Sequence, residues 1–126
     1  MNKKNDLLKT ISNDLQLNFE QQDWGIINAS PERIHEFMEY YNNNVNLPNT
    51  IKYQLLELII ASFNEALVKN MVNENQKIAF KEFIKKNASN SHFRPILNYW
   101  KKIANISEFP VGHLLKQIKI RYVGNL

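Results

Sequence analysis

Acid–base or metal chemistry in this chain would have to rest on three histidines and a few carboxylates. His35, His92 and His113 lie in separate segments, and none has a second histidine or a cysteine at ligand spacing. A protein zinc site draws on sets of such donors, usually in closely spaced pairs, so the pattern argues against one. His35 stands beside Glu36 and Glu39, residue types that serve proton transfer or metal ligation when a pocket gathers them. On one helix they read more simply as surface neighbours. Glu32, Glu36 and Glu39 share a helical stripe. A carboxylate pair divides into acid and base only where the two environments differ, and on an open face all three stay ionised. The chain has no cysteine, which excludes thiolate nucleophiles and a disulfide framework. Its only glycines, Gly25, Gly112 and Gly124, cannot form a glycine-rich phosphate loop. Ser30 and Ser62 lie in no nucleophile motif. These residues therefore yield no catalytic, cofactor-binding or metal site, and charged surface is what remains for function.

That charge is uneven. Residues 1–70 carry six basic and nine acidic side chains, net −3, whereas residues 71–126 carry ten and three, net +7. The acidic stripe suits a basic partner. Lys77, Lys81, Lys85, Lys86, Arg94, Lys101 and Lys102 suit phosphates, with Tyr99 and Trp100 as stacking surfaces. Trp100, however, falls on the apolar stripe of its helix, and lysines commonly form the wet side of amphipathic helices. The link from Asn87 to Ser91 has no glycine and no helix-turn-helix pattern.

The elements that would position these residues are helical. The 126 residues are 44% hydrophobic and 22% charged, with 3 Gly and 4 Pro, an ordinary globular composition leaning towards helix. The length suits a single domain over residues 1–126. No apolar run approaches the roughly 20 residues that span a bilayer. Met1-Asn2-Lys3-Lys4-Asn5-Asp6 leads into an amphipathic pattern and not a signal-peptide core, so a cytoplasmic location is expected. Asparagine is overused; AT-rich coding sequence is the simplest source, since asparagine in loops and caps costs little.

Leu7, Leu8, Ile11 and Leu15 predict a first helix over residues 5–16. Leu15, Leu17 and Phe19 then alternate with polar residues, and Trp24-Gly25-Ile26-Ile27 reads as extended, with Gly25 as the bend. Ser30 suits an N-cap and Pro31 a first helical position. The helix they open has Ile34, Phe37, Met38 and Tyr41 on its apolar side. Asn42-Asn43-Asn44 breaks it. A third helix runs from Asn49 or Thr50 to about Asn70, apolar on nearly every side between Ile51 and Val68, as befits a helix buried at the centre of a bundle. A fourth covers residues 74–87 with Ala79, Phe80, Phe83 and Ile84 inward. A fifth begins between Ser91 and Pro95, and Phe93, Ile96, Leu97, Trp100, Ile103 and Ala104 follow its helical spacing. After Phe109-Pro110-Val111-Gly112, a last segment with Val111, Leu114, Leu115, Ile118 and Tyr122 fits a helix, although residues 118–123 also fit a strand. The fold class is therefore all-α, a single-domain bundle of five or six helices that leaves room for a minor extended segment near residues 15–28.

The run Asp23-Trp24-Gly25-Ile26-Ile27-Asn28-Ala29-Ser30-Pro31-Glu32-Arg33-Ile34, followed by Phe37, Tyr40-Tyr41, Leu47-Pro48 and the Leu55–Leu67 helix, resembles small bacterial immunity proteins. These accompany polymorphic or contact-dependent growth inhibition toxins. The resemblance covers a third to a half of the chain. It implies a non-enzymatic cytoplasmic protein, without cofactor, that binds a cognate toxin C-terminal domain and blocks its active site or substrate groove. Toxins of such systems are often nucleases with basic clefts, which points to Glu20, Asp23, Glu32, Glu36 and Glu39 as the partner-binding residues; the net charge of +4 departs from that pattern. The Lys77–Lys102 side is the alternative face, suited to an acidic toxin. A small nucleic-acid-binding protein using the basic half is the alternative function.

Overall fold

The computed structural model describes residues 3–118. Among them the fold is all-α, as the periodicity predicts, with seven α-helices and no strand. In chain order these are α1 (Lys3–Leu15), α2 (Trp24–Ile27), α3 (Ile34–Asn43), α4 (Asn49–Val68), α5 (Glu74–Ala88), α6 (Arg94–Lys102) and α7 (Val111–Lys116). Short 3-10 turns at Pro31–Arg33 and Ser91–Phe93 lead into α3 and α6. Contacts gather into two compact units, residues up to Ser62 and residues from Phe63, with the boundary inside α4. No described helix is long and apolar enough to cross a membrane.

In the first unit, Leu8, Ile11 and Leu15 of α1, Trp24 of α2, Phe37 and Tyr41 of α3, and Ile51, Leu55, Leu56, Leu58, Ile59 and Ile60 of α4 are buried. Helix α1 stops because Gln16 takes a left-handed conformation (φ 56°) and turns the Leu17 N–H back onto the Ser12 carbonyl at 2.7 Å. That bond satisfies a carbonyl left free at the helix end.

In the second unit, Phe63 and Phe80 stack with centroids 3.9 Å apart, and Phe83, Ile84, Phe93, Ile96, Leu97, Trp100, Val111 and Leu115 are buried. Here α4 ends by the same device. Asn70 is left-handed (φ 55°) and the Met71 N–H reaches the Ala66 carbonyl at 2.8 Å. Asn73 then opens α5 with a capping box, its side chain accepting from the Gln76 N–H while the Gln76 side chain accepts from the Asn73 N–H, both at 2.8 Å. The asparagine-rich breaks thus close and open helices through specific bonds. Helix α6 lies against α7, where Gly112 leaves no room for a Cβ: an added methyl would stand 2.6 Å from Ala104 Cβ.

Several expectations change. Trp24–Ile27 is a helical turn and not an extended segment; residues 17–20 have no regular structure. Four residues are too few for their spacing to tell period 2 from period 3.6; the helical bonds from the Ile27 N–H to the Asp23 carbonyl at 2.8 Å and from the Asn28 N–H to the Trp24 carbonyl at 3.1 Å settle the matter. Ser30 occupies the cap position without capping: its hydroxyl goes to Glu32 Oε2 at 3.1 Å, and Pro31 starts a 3-10 turn in place of the α-helix. Ala79 is exposed, and Ala88 is buried on α5. Helix α7 stops at Lys116, and the choice between helix and strand for the end of the chain falls, beyond Ile118, outside the described residues.

Candidate partner-binding site

The segment from Asn18 to Asn28 is a loop, with the α2 turn inside it, held shut by its own residues. Asn28, itself buried, uses its side-chain amide as a backbone would: Oδ1 accepts from the Asn18 N–H at 3.0 Å, and Nδ2 donates to the Asn18 carbonyl at 2.9 Å. Nδ2 also donates to the Trp24 carbonyl at 2.9 Å. Trp24 plugs the loop from within. Its ring is fully buried, and its indole N–H donates to Ser12 Oγ at 2.8 Å, while that hydroxyl donates to the Leu8 carbonyl at 2.7 Å. A buried indole is thereby satisfied through a buried hydroxyl on α1. Gly25 lets the turn lie on α4, because a Cβ there would stand 2.7 Å from the Leu58 nitrogen. Compact loops whose ends meet and whose interior is filled by their own side chains are frequent sites of function.

The outer side of this loop is open. Phe19, Glu20, Gln21, Gln22, Asp23 and Ile27 line a groove of about 620 Å³. Ile26 and Ile27 are 43% and 53% exposed, so apolar surface sits next to the carboxylates of Glu20 and Asp23. Asp23 is left-handed (φ 56°) at the cap of α2. Its charge also reaches α4: burial, and then Asp23, push the Glu57 carboxyl above its ordinary range.

Of the five acidic residues singled out from the sequence, Glu20 and Asp23 come together in this groove. Glu32, Glu36 and Glu39 do not line it, although all are exposed. Glu36 is engaged by Arg33, whose Nε and Nη2 donate to its two oxygens at 2.8 and 2.6 Å and hold its carboxyl below the ordinary range. Arg33 Nη2 also donates to the Leu15 carbonyl at 2.6 Å, and the guanidinium lies 4.9 Å from the Phe37 ring centroid. Glu39 Oε2 is 3.8 Å from His35 Nε2. The stripe is thus compensated at Glu36, by Arg33 of the preceding 3-10 turn.

Phe19, Gln21, Gln22, Ile26, Ile27 and Asn28 belong to the site and were not legible as such, because the pairing of Asn28 with Asn18 has no signature in spacing. Among the described residues no group of His, Cys, Asp or Glu is arranged to hold a metal ion. In the second unit, Trp100 is buried with its indole N–H unpartnered among the described residues, which removes one of the two stacking surfaces expected there. Tyr99 is 50% exposed. No family model, curated protein or solved structure matches the chain.

Proposed function

We propose that this protein is an immunity protein, a non-enzymatic binder that neutralises a cognate bacterial toxin domain by covering its active site or substrate groove. The observation that carries the reading is the loop from Asn18 to Asn28: two carboxylates and two exposed isoleucines displayed on a segment already fixed by Asn28 and Trp24. A preformed loop loses little conformational freedom on docking. Glu20 and Asp23, with Glu32, Glu36 and Glu39 beyond them, steer a basic cleft into contact and repel the nucleic acid competing for it. Ile26 and Ile27 supply the apolar contact that slows release. Function of this kind places the protein in the cytoplasm and asks for no cofactor.

The test is binding to the C-terminal domain encoded directly upstream, the genetic position such a toxin takes. Glu20→Lys with Asp23→Lys should slow association about tenfold or more at low salt. Glu32→Lys, Glu36→Lys and Glu39→Lys together should have a smaller effect, because Arg33 already engages Glu36. A change below about 0.5 kcal/mol in both sets, the usual range for surface substitutions, sinks the acidic face. Salt-dependent binding of RNA or DNA, lost on replacing Lys101 and Lys102, would favour the nucleic-acid reading instead.

A further inference from the structure

Ile106 is 83% exposed, more than any other large apolar side chain among the described residues. It stands at the tip of a loop that is firmly built. The Asn105 N–H donates to the Phe109 carbonyl at 3.2 Å and the Phe109 N–H to the Asn105 carbonyl at 2.9 Å, closing the loop as an isolated antiparallel bridge. Asn105 Oδ1 accepts from the Ser107 N–H and hydroxyl, both at 2.9 Å, and from the Glu108 N–H at 3.4 Å. From beneath, the buried Asn64 of α4 donates to the Glu108 carbonyl at 2.9 Å and accepts from the Val111 N–H at 3.2 Å. An apolar side chain at the tip of such a loop is a preformed anchor for a pocket on a partner.

Charge says which pocket it fits. The loop joins α6, which ends in Lys101 and Lys102, to α7, which carries Lys116; Glu108 is the only carboxylate between residues 101 and 118. Its complement is a recess with apolar walls and an acidic rim. The groove on the first unit offers both, Phe19 and Ile27 as apolar contacts and Glu20 and Asp23 as carboxylates, with Gln21 and Gln22 completing its lining. The polarity extends to the whole chain: residues 1–62 carry net −3 and residues 63–126 net +7.

We propose that the Asn105–Phe109 loop of one copy docks into the Phe19–Asp23 groove of a second copy, so that the protein associates head to tail. The contact joins two different surfaces, so one copy keeps its groove free and the other its loop, each open to a further neighbour. The second copy would occupy the groove assigned above to the toxin and compete for it; self-association is read on this chain alone, so its failure leaves the toxin reading standing.

Sedimentation velocity of the full chain tests it, from about 1 μM to about 1 mM. The weight-average mass should rise with concentration at about 0.1 M salt and fall back at about 1 M, where the screening length drops from about 10 to about 3 Å. Ile106→Asp, which keeps the groove, and Glu20→Lys with Asp23→Lys, which keeps the loop, should each weaken self-association about tenfold or more. Mixed in equal amounts, the two variants should form a complex that stops at the dimer, because one productive contact is all that survives. Circular dichroism matching the parent establishes that each variant is folded; Ile106→Ser and Glu20→Gln with Asp23→Asn serve where it does not. A parent chain that stays monomeric throughout, association that survives either variant, or a mixture without complex overturns the proposal.

Discussion

The side-chain amide of Asn28 pairs with both backbone groups of Asn18, accepting from its N–H at 3.0 Å and donating to its carbonyl at 2.9 Å. A side chain thus closes a loop that backbone pairing would otherwise have to close. Everything proposed for the acidic groove depends on that closure, since Glu20, Asp23, Ile26 and Ile27 lie between the two asparagines.

Replacing Asn28 should loosen the loop more than its single amide suggests. Asn28→Ala leaves both Asn18 backbone groups without this partner, at about 1–3 kcal/mol, while the Trp24 carbonyl keeps the residue 28 N–H. Asn28→Asp should cost more, because a carboxylate oxygen then faces the Asn18 and Trp24 carbonyls. Urea unfolding reads the stability. Hydrogen exchange at the Asn18 amide reads the loop itself, and unchanged protection there in Asn28→Ala would refute the clamp.

Glu57 sets a pH dependence. Its carboxyl is held above the ordinary range by burial and by Asp23, so the fold favours its protonated form. The favourable contribution is complete below the unfolded value and is lost as pH rises through the folded one. Glu57→Gln should therefore be more stable than the parent at neutral pH, and that advantage should vanish in acid. Asp23→Asn, which removes the second cause, should shrink the difference. Chemical denaturation across pH measures both, and a pH-independent difference would contradict the assignment.

Arg33 carries more than an ion pair. Glu36→Gln should cost less than about 1 kcal/mol, since the pair is half exposed and screened. Arg33→Ala should cost about 1–2 kcal/mol, because it also frees the Leu15 carbonyl at the end of α1. Arg33→Lys should recover only part of this, as one ammonium cannot span the two Glu36 oxygens and the carbonyl. Equal losses in Glu36→Gln and Arg33→Ala would reduce Arg33 to its salt bridge.

Gly25 and Gly112 each allow a close approach of backbone. A methyl at Gly25 meets the α4 backbone, and one at Gly112 meets the Trp100 carbonyl and Ala104. Alanine at either position should lower stability by about 1–3 kcal/mol through overpacking. Thermal unfolding of the two variants measures it; a gain in stability at either would contradict the packing described.

The helices were legible wherever apolar residues recur over several turns. Helix α4 stood out because Ile51 to Val68 is apolar on nearly every side, and α5 because Phe80, Phe83 and Ile84 mark one face. Legibility failed where a local signal competed with a distant partner. Ser30 has the type of a cap, yet its N–H donates to Ser62 Oγ at 2.9 Å and its hydroxyl turns to Glu32. Ala79 fits the stripe of α5 and is nevertheless exposed.

By itself the sequence determined the helices, most of their buried faces and the opposite charges of the two ends of the chain. Those properties follow from spacing within a few turns and from simple counting. Tertiary structure alone decided that Glu20 and Asp23 share a groove with Ile27, that Arg33 reaches the Leu15 carbonyl, that Trp24 hangs from Ser12, and that Asn64 holds the loop that carries Ile106. Hydrogen bonds between residues far apart in the chain depend on the path of the backbone between them, and no local periodicity encodes that path.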